Sequence, residues 1–177
     1  MILGRYRITF CALLTAAMLA VQVAAQAPAA QPEAVLHPAD LAKILPSSVF
    51  FRGQSATTQG RNSGGVRYGD GYFTFATLVD NSGYSTGIQE KYQAYFISEV
   101  PLEVSGQKLP PGAYGVGFIS GEKFVVMDLA ANDLLQATSQ RDAEMKRPVP
   151  LQVVPSATAG TYRLYAGRDY VEFRRTH

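Results

Sequence analysis

The residues able to carry chemistry are few in this chain, and their spacing narrows the reactions open to it. Only two histidines occur, His37 near the N-terminal segment and His177 at the last position. Neither belongs to a predicted element that would fix an imidazole against a nucleophile and an acid, so a serine–histidine–acid triad is not expected. With a single cysteine, Cys11, the chain also lacks the usual His and Cys set of a zinc site. Ser120-Gly121-Glu122-Lys123 has the S-x-x-K spacing of serine β-lactamases, but it falls in a predicted hairpin rather than at the start of a helix, and no KTG or SDN partner follows.

Carboxylate chemistry asks less of a sequence, since a glycosidase needs two acids at the proper separation. Asp70, Asp80, Glu90, Glu99 and Asp128 qualify by type, and no pair is singled out. The segment DNSGYSTGIQE, Asp80 to Glu90, offers oxygen ligands but lacks the D-x-[DN]-x-[DN]-G spacing of a calcium loop. No metal and no cofactor are expected.

Tyrosines make the better case for recognition. Tyr68, Tyr72, Tyr84, Tyr92 and Tyr95 lie in or around a predicted loop from Asp80 to Lys91, and loops on a β scaffold are the usual seat of binding. A tyrosine offers an apolar face with a polar tip. The expected ligand-binding residues are Tyr68, Tyr84, Tyr95 and Asp80, and the expected ligand is a protein, a peptide or a glycan. Strand alternation puts Tyr92, Ala94 and Phe96 on one face and Tyr95 and Ile97 on the other, so some of these rings must belong to a core. The absence of tryptophan argues against a flat sugar-stacking platform.

These residues must be held by strands. From Ser47 onward, short runs rich in Val, Phe, Tyr and Ile alternate with Gly, Asn, Asp and Pro, the pattern of strands and turns. Strands are predicted at 49–54, 65–68, 72–79, 92–100, 114–120, 124–129, 134–138, 151–154, 162–166 and 170–174. Turn residues at 69–71, 120–122 and 167–169 make consecutive strands antiparallel hairpins. GQSATTQGRNSGG, Gly53 to Gly65, is polar and glycine-rich and is predicted to be an exposed loop, and a short irregular stretch is predicted from Ser139 to Pro148. The one predicted helix is short and N-terminal, in HPADLAKILP, with Pro38 in its first turn and Pro46 ending it. The fold class is therefore all-β, a mainly antiparallel β-sandwich, with a small β-barrel as the alternative.

The N-terminus sets the destination. Arg5 and Arg7 precede an apolar run from Ile8 to Ala20 and small residues around Ala25, the order of a secretory signal. The alternative is an uncleaved anchor, since the run approaches the length that spans a bilayer. Cleavage after Ala25 makes residues 1–25 a signal peptide, leaves 26–36 as a flexible Ala/Pro-rich tether and 37–177 as a single β domain, secreted or periplasmic, with no membrane span remaining. Loss of Arg5 and Arg7 brings the 16 basic side chains to 14, level with the 14 acidic ones. Such a balance argues against nucleic acid as a partner, and Arg163, Arg168, Arg174 and Arg175 are expected as solvated residues that discourage edge pairing. Oligomeric state is left open.

VSGQKLPPGAYGV, Val104 to Val116, is predicted to be architecture: one turn at Ser105-Gly106-Gln107, and a type II turn at Pro110-Pro111-Gly112-Ala113. Its V-x-G-x-x-L-P-x-G-x-Y pattern resembles a stretch recurring in small secreted bacterial β-sandwich domains of unknown function. That resemblance implies a secreted β-sandwich and transfers no catalytic residue. The functional expectation is a secreted or periplasmic non-enzymatic binding or structural module. A carboxylate-dependent glycan hydrolase and a β-barrel carrying an apolar ligand are the alternatives.

Overall fold

The computed structural model describes residues 32–176. The expected signal peptide and residues 26–31 of the tether lie outside them, as does His177. The first half of the chain holds β1 (Ala34–Leu36), α1 (Pro38–Leu41), β2 (Ser48–Phe51), β3 (Gln54–Arg67), β4 (Phe73–Val79), α2 (Thr86–Gln89) and β5 (Ala94–Ser98). The second holds β6 (Leu102–Val104), β7 (Gln107–Leu109), β8 (Gly112–Ile119), β9 (Lys123–Met127) and β10 (Asp133–Thr138). It ends with β11 (Gln140–Arg141), β12 (Val149–Pro155), β13 (Thr161–Gly167) and β14 (Asp169–Arg175).

The strands form two open antiparallel sheets, a β-sandwich rather than a closed barrel. One has eight strands in the order β1-β3-β4-β5-β8-β9-β10, with β2 beside β3. The other has six, β12-β13-β14-β6-β7, with β11 beside β14. Period-two alternation builds the interior. Ala76, Phe96, Val116 and Val126 on the larger sheet meet Leu164, Val171 and Phe173 on the smaller, all nearly solvent-free. Phe96 and Phe173 meet edge to face across the gap, with ring centroids 6.0 Å apart.

The opposite face of the larger sheet is covered too. Val125 and Met127 of β9 and Tyr95 of β5 lie under Val49 and Phe51 of β2 and under Tyr84, Ile88 and Tyr92 of the segment around α2. This cap needs a flat floor, and β8 supplies it through the run Tyr114-Gly115-Val116-Gly117-Phe118. Tyr114 and Val116 point into the sandwich, whereas a Cβ on Gly115 would strike the Phe51 ring and one on Gly117 would strike the Lys91 carbonyl. Phe51 therefore stacks on Tyr92, centroids 3.9 Å apart and planes 17° apart, directly over the sheet. A third cluster, Leu36, Leu41 and Phe75, seats α1 on the same side.

Several expectations change. Ala34–Leu36, expected as the end of the tether, pairs with Gly65–Arg67 as β1. The predicted exposed loop at 53–65 is mostly strand β3, because its Gly and Ser residues serve close packing rather than turns. A Cβ on Gly64, for example, would lie 2.6 Å from the Val153 nitrogen of β12. Tyr92 is not in β5. The Asn81 amide instead donates to the carbonyls of Gln89 (3.0 Å) and Tyr92 (2.6 Å), folding the preceding segment around α2. The stretch after Thr138 includes the short strand β11, held by Tyr170 and Asp169 of β14.

VSGQKLPPGAYGV is a corner. Ser105 (φ 44°) and Gly106 (φ 85°) form a two-residue turn joining β6 to β7 in the smaller sheet, and positive φ at both central positions matches the strand twist. Pro110 and Pro111 then carry the chain to β8 in the larger sheet. The expected type II turn is not formed, since Gly112 is already the first residue of β8. The Tyr114 hydroxyl fills the space its missing Cβ leaves and donates to the Pro110 carbonyl at 2.7 Å, locking the corner.

Candidate functional site

The expected binding tyrosines are placed inside the protein. Tyr68 is 3% exposed and donates to Thr74 Oγ1 at 3.1 Å, and burial pushes its phenol up to about 12. Tyr84 lies in the cap with its hydroxyl shared between the carbonyls of Phe51 (3.0 Å) and Gln54 (3.2 Å). Tyr95 is buried beneath the same cap. Asp80 alone is exposed, and its carboxylate accepts the Ser82 N–H at 3.1 Å in a local turn. The four residues do not converge on a surface: Tyr68 belongs to the interior between the sheets, and Tyr84 and Tyr95 to the layer outside the larger sheet. For Tyr84 and Tyr95 the reason is the glycine floor on β8, which leaves room for the Phe51–Tyr92 stack and the cap above the sheet, whereas Tyr68 packs into the core between the sheets.

Four of the five candidate acids are likewise engaged, whereas Glu90 is exposed with no side-chain hydrogen bond or ion pair among the described residues. Asp70 pairs with Arg175 at 2.7 Å, and Asp128 accepts the Ala130 and Asn132 N–H groups at 2.9 Å each. The guanidinium beside Asp70, the Ser82 hydrogen bonds to Asp80 and the Asn132 hydrogen bonds to Asp128 hold these carboxyls below their ordinary range. A glycosidic general acid needs the opposite shift. Glu99 accepts the Phe73 N–H at 2.9 Å. Asn81, one of the oxygen ligands considered for calcium, turns its amide nitrogen inward to the loop carbonyls. Among the described residues, no three His, Cys, Asp or Glu side chains gather as a metal would require.

The C-terminal arginines are not a free cationic patch. Arg163 meets Glu172 at 3.0 Å, Arg174 meets Glu103 at 2.8 Å, and Arg168 donates to the Met145 carbonyl at 3.2 Å. Glu172 also accepts the Ser156 hydroxyl at 2.7 Å, and these partners hold its carboxyl below the ordinary range, which makes it a poor base for activating that serine.

The site with the right geometry lies elsewhere, on the bulge of β3. The step from Gln59 to Ser63 faces only the step from Leu78 to Thr77 on β4, which leaves Gly60, Arg61 and Asn62 without partners there. Such bulges re-aim side chains. This one is stapled: Asn62 Nδ2 donates to Gln59 Oε1 at 3.0 Å, Gln59 Nε2 to the Val79 carbonyl at 3.3 Å, and Ser63 Oγ to the Gly60 carbonyl at 2.6 Å.

Two concavities meet at the bulge, one of about 750 Å³ against α1 and one of about 300 Å³ along β12. Both are lined by Pro38, Arg61 and Asn62. Arg61 is exposed, and among the described residues no carboxylate pairs with it. The polar, glycine-rich composition that pointed to a loop at 53–65 was the available signal for this site.

No protein-family model matches the chain, and no curated protein or solved structure matches it either. The reading of function therefore rests on the chain's own residues.

Proposed function

We propose that the protein acts outside the cytoplasm, secreted or periplasmic, as a non-enzymatic binding module, and that its ligand, a protein, peptide or glycan, lies in the groove over the β3 bulge. The observation that carries this reading is Arg61, an exposed and unpaired guanidinium on a hydrogen-bonded bulge between two concavities. The bulge backbone is stapled, so ordering on binding falls on the Arg61 side chain alone, and its planar fork presents several donors for the rotamers it fixes. The signal-like order of residues 1–25 supports the location. The carrier alternative has less support, because Phe96, Tyr114, Leu164 and Phe173 occupy the space between the sheets where an apolar ligand would sit.

Photo-crosslinking tests the proposal. A photoreactive residue in place of Ala42, which is exposed and lines the larger concavity, in the chain expressed in its own host, is expected to trap a ligand that the same residue at Thr86 does not. Equal or absent labelling from both positions overturns the groove as the binding site. Intact-mass measurement of the same material reports the processing: a chain beginning at Gln26 is the expected product.

A further inference from the structure

The lining of the groove points to a ligand class. Neither concavity includes an acidic side chain among its lining residues, and the cation Arg61 belongs to both. The nearby Asp40 carboxylate accepts the His37 N–H at 2.9 Å within α1's first turn. Gln59 spends its amide on the bulge, whereas Asn62 donates through its nitrogen and leaves its carbonyl oxygen unpartnered among the described residues. Gln152 of β12 also lines the smaller concavity, with its amide nitrogen directed at Met145 Sδ, 3.8 Å away.

Two further features separate ligand classes. An extended peptide binds best by adding a strand to a free edge, but the edge of β12 is packed against β3, with the Val153 nitrogen over Gly64, and carries Pro150 and Pro155. A neutral sugar chain depends on broad aromatic faces to stack on, and no Phe, Tyr or Trp lines either concavity, the His37 imidazole being the one ring at the smaller. What the groove offers is a planar guanidinium able to take a carboxylate in two parallel hydrogen bonds, beside the Asn62 amide suited to a hydroxyl, with Pro38, Ala39 and Ala42 as a low apolar wall.

We infer that the groove binds a carboxylate-bearing glycan chain, with Arg61 on a uronate carboxyl and the Asn62 amide on a neighbouring hydroxyl. This inference rests on the binding-module reading and adds the ligand class to it.

Calorimetric titration of the intact protein, as its host processes it, with oligogalacturonate, with a neutral malto-oligosaccharide and with poly-glutamate tests the assignment. The expected result is saturable binding of oligogalacturonate alone. Arg61→Gln should weaken it at least tenfold and Arg61→Lys by less, with unchanged melting temperatures, since the side chain is exposed and unpaired. Added salt should weaken binding in the wild type and have little effect on Arg61→Gln. Poly-glutamate binding as well as the uronate, or uronate binding indifferent to Arg61→Gln, overturns the inference. Binding of none of the three also overturns it, while the crosslink at Ala42 separately decides whether the groove binds anything.

Discussion

Tyr92 shows how a single residue can be packed for its ring and mismatched at its tip. It is solvent-free, stacked on Phe51 and set edge-on to Tyr84 at 5.3 Å, yet its hydroxyl is buried without a hydrogen-bond partner among the described residues. Burial pushes the phenol pKa well above its ordinary value. An unpaired buried hydroxyl costs about 1–3 kcal/mol, so Tyr92→Phe is expected to keep the stack and raise stability by about 1 kcal/mol. Urea denaturation checks this, and a loss of stability would mean that the hydroxyl has a partner. The contrast is Tyr84, whose hydroxyl ties the cap to the β2–β3 turn through two carbonyls. Tyr84→Phe should cost about 0.5–1.5 kcal/mol, the net worth of an ordinary hydrogen bond.

At the scale of elements, β8 decides the architecture. Its inner residues join the sandwich core, and its two outward glycines leave the floor on which the cap rests. Gly117→Ala would place a methyl group against the Lys91 carbonyl, a backbone atom that cannot rotate away. Overpacking of this kind costs about 1–3 kcal/mol. The expected result is destabilisation in that range, with faster amide exchange confined to the segment around α2 and little change in β12–β14. Uniform exchange across both sheets would show that cap and sandwich do not separate.

For the molecule as a whole, stability against alkali follows from the aromatic residues enclosed in the fold. Tyr68 has an ordinary pKa of 10.0 in the unfolded chain and is pushed up to about 12 when folded, mainly by burial. A raised pKa means that this stability is fully present below pH 10 and is lost as pH rises toward and through 12. At about 1.4 kcal/mol per pKa unit, the loss is about 3 kcal/mol. The melting temperature should therefore fall steeply above pH 10, and Tyr68→Phe, which cannot ionise, should flatten that fall. A parallel decline in the variant would assign it to other groups. In acid the sign reverses: the depressed carboxyls of Asp70 and Glu103, each held by an arginine, favour the folded state above their unfolded pKa values and lose that contribution as pH falls.

Local physics was enough for much of this fold. β-branched and aromatic runs broken by turn residues determined an all-β chain, and the Gly167-Arg168 turn determined an antiparallel hairpin, because both depend on period-two alternation and on which residues tolerate a positive φ. What the tertiary structure decided were the meanings of residues with more than one use. Glycine and serine at 60–65 signal a loop in sequence, and only β12 lying against Gly64 shows that they permit close packing and a stapled bulge. Tyr84 and Tyr95 are amphipathic and suit either a surface or a core, and it took the cap over Gly115 and Gly117 to bury them. Arg61 is indistinguishable from Arg163 or Arg174 in composition. It becomes a candidate ligand contact because the fold brings carboxylates to those two and, among the described residues, none to it, a consequence of contacts between residues far apart in the chain.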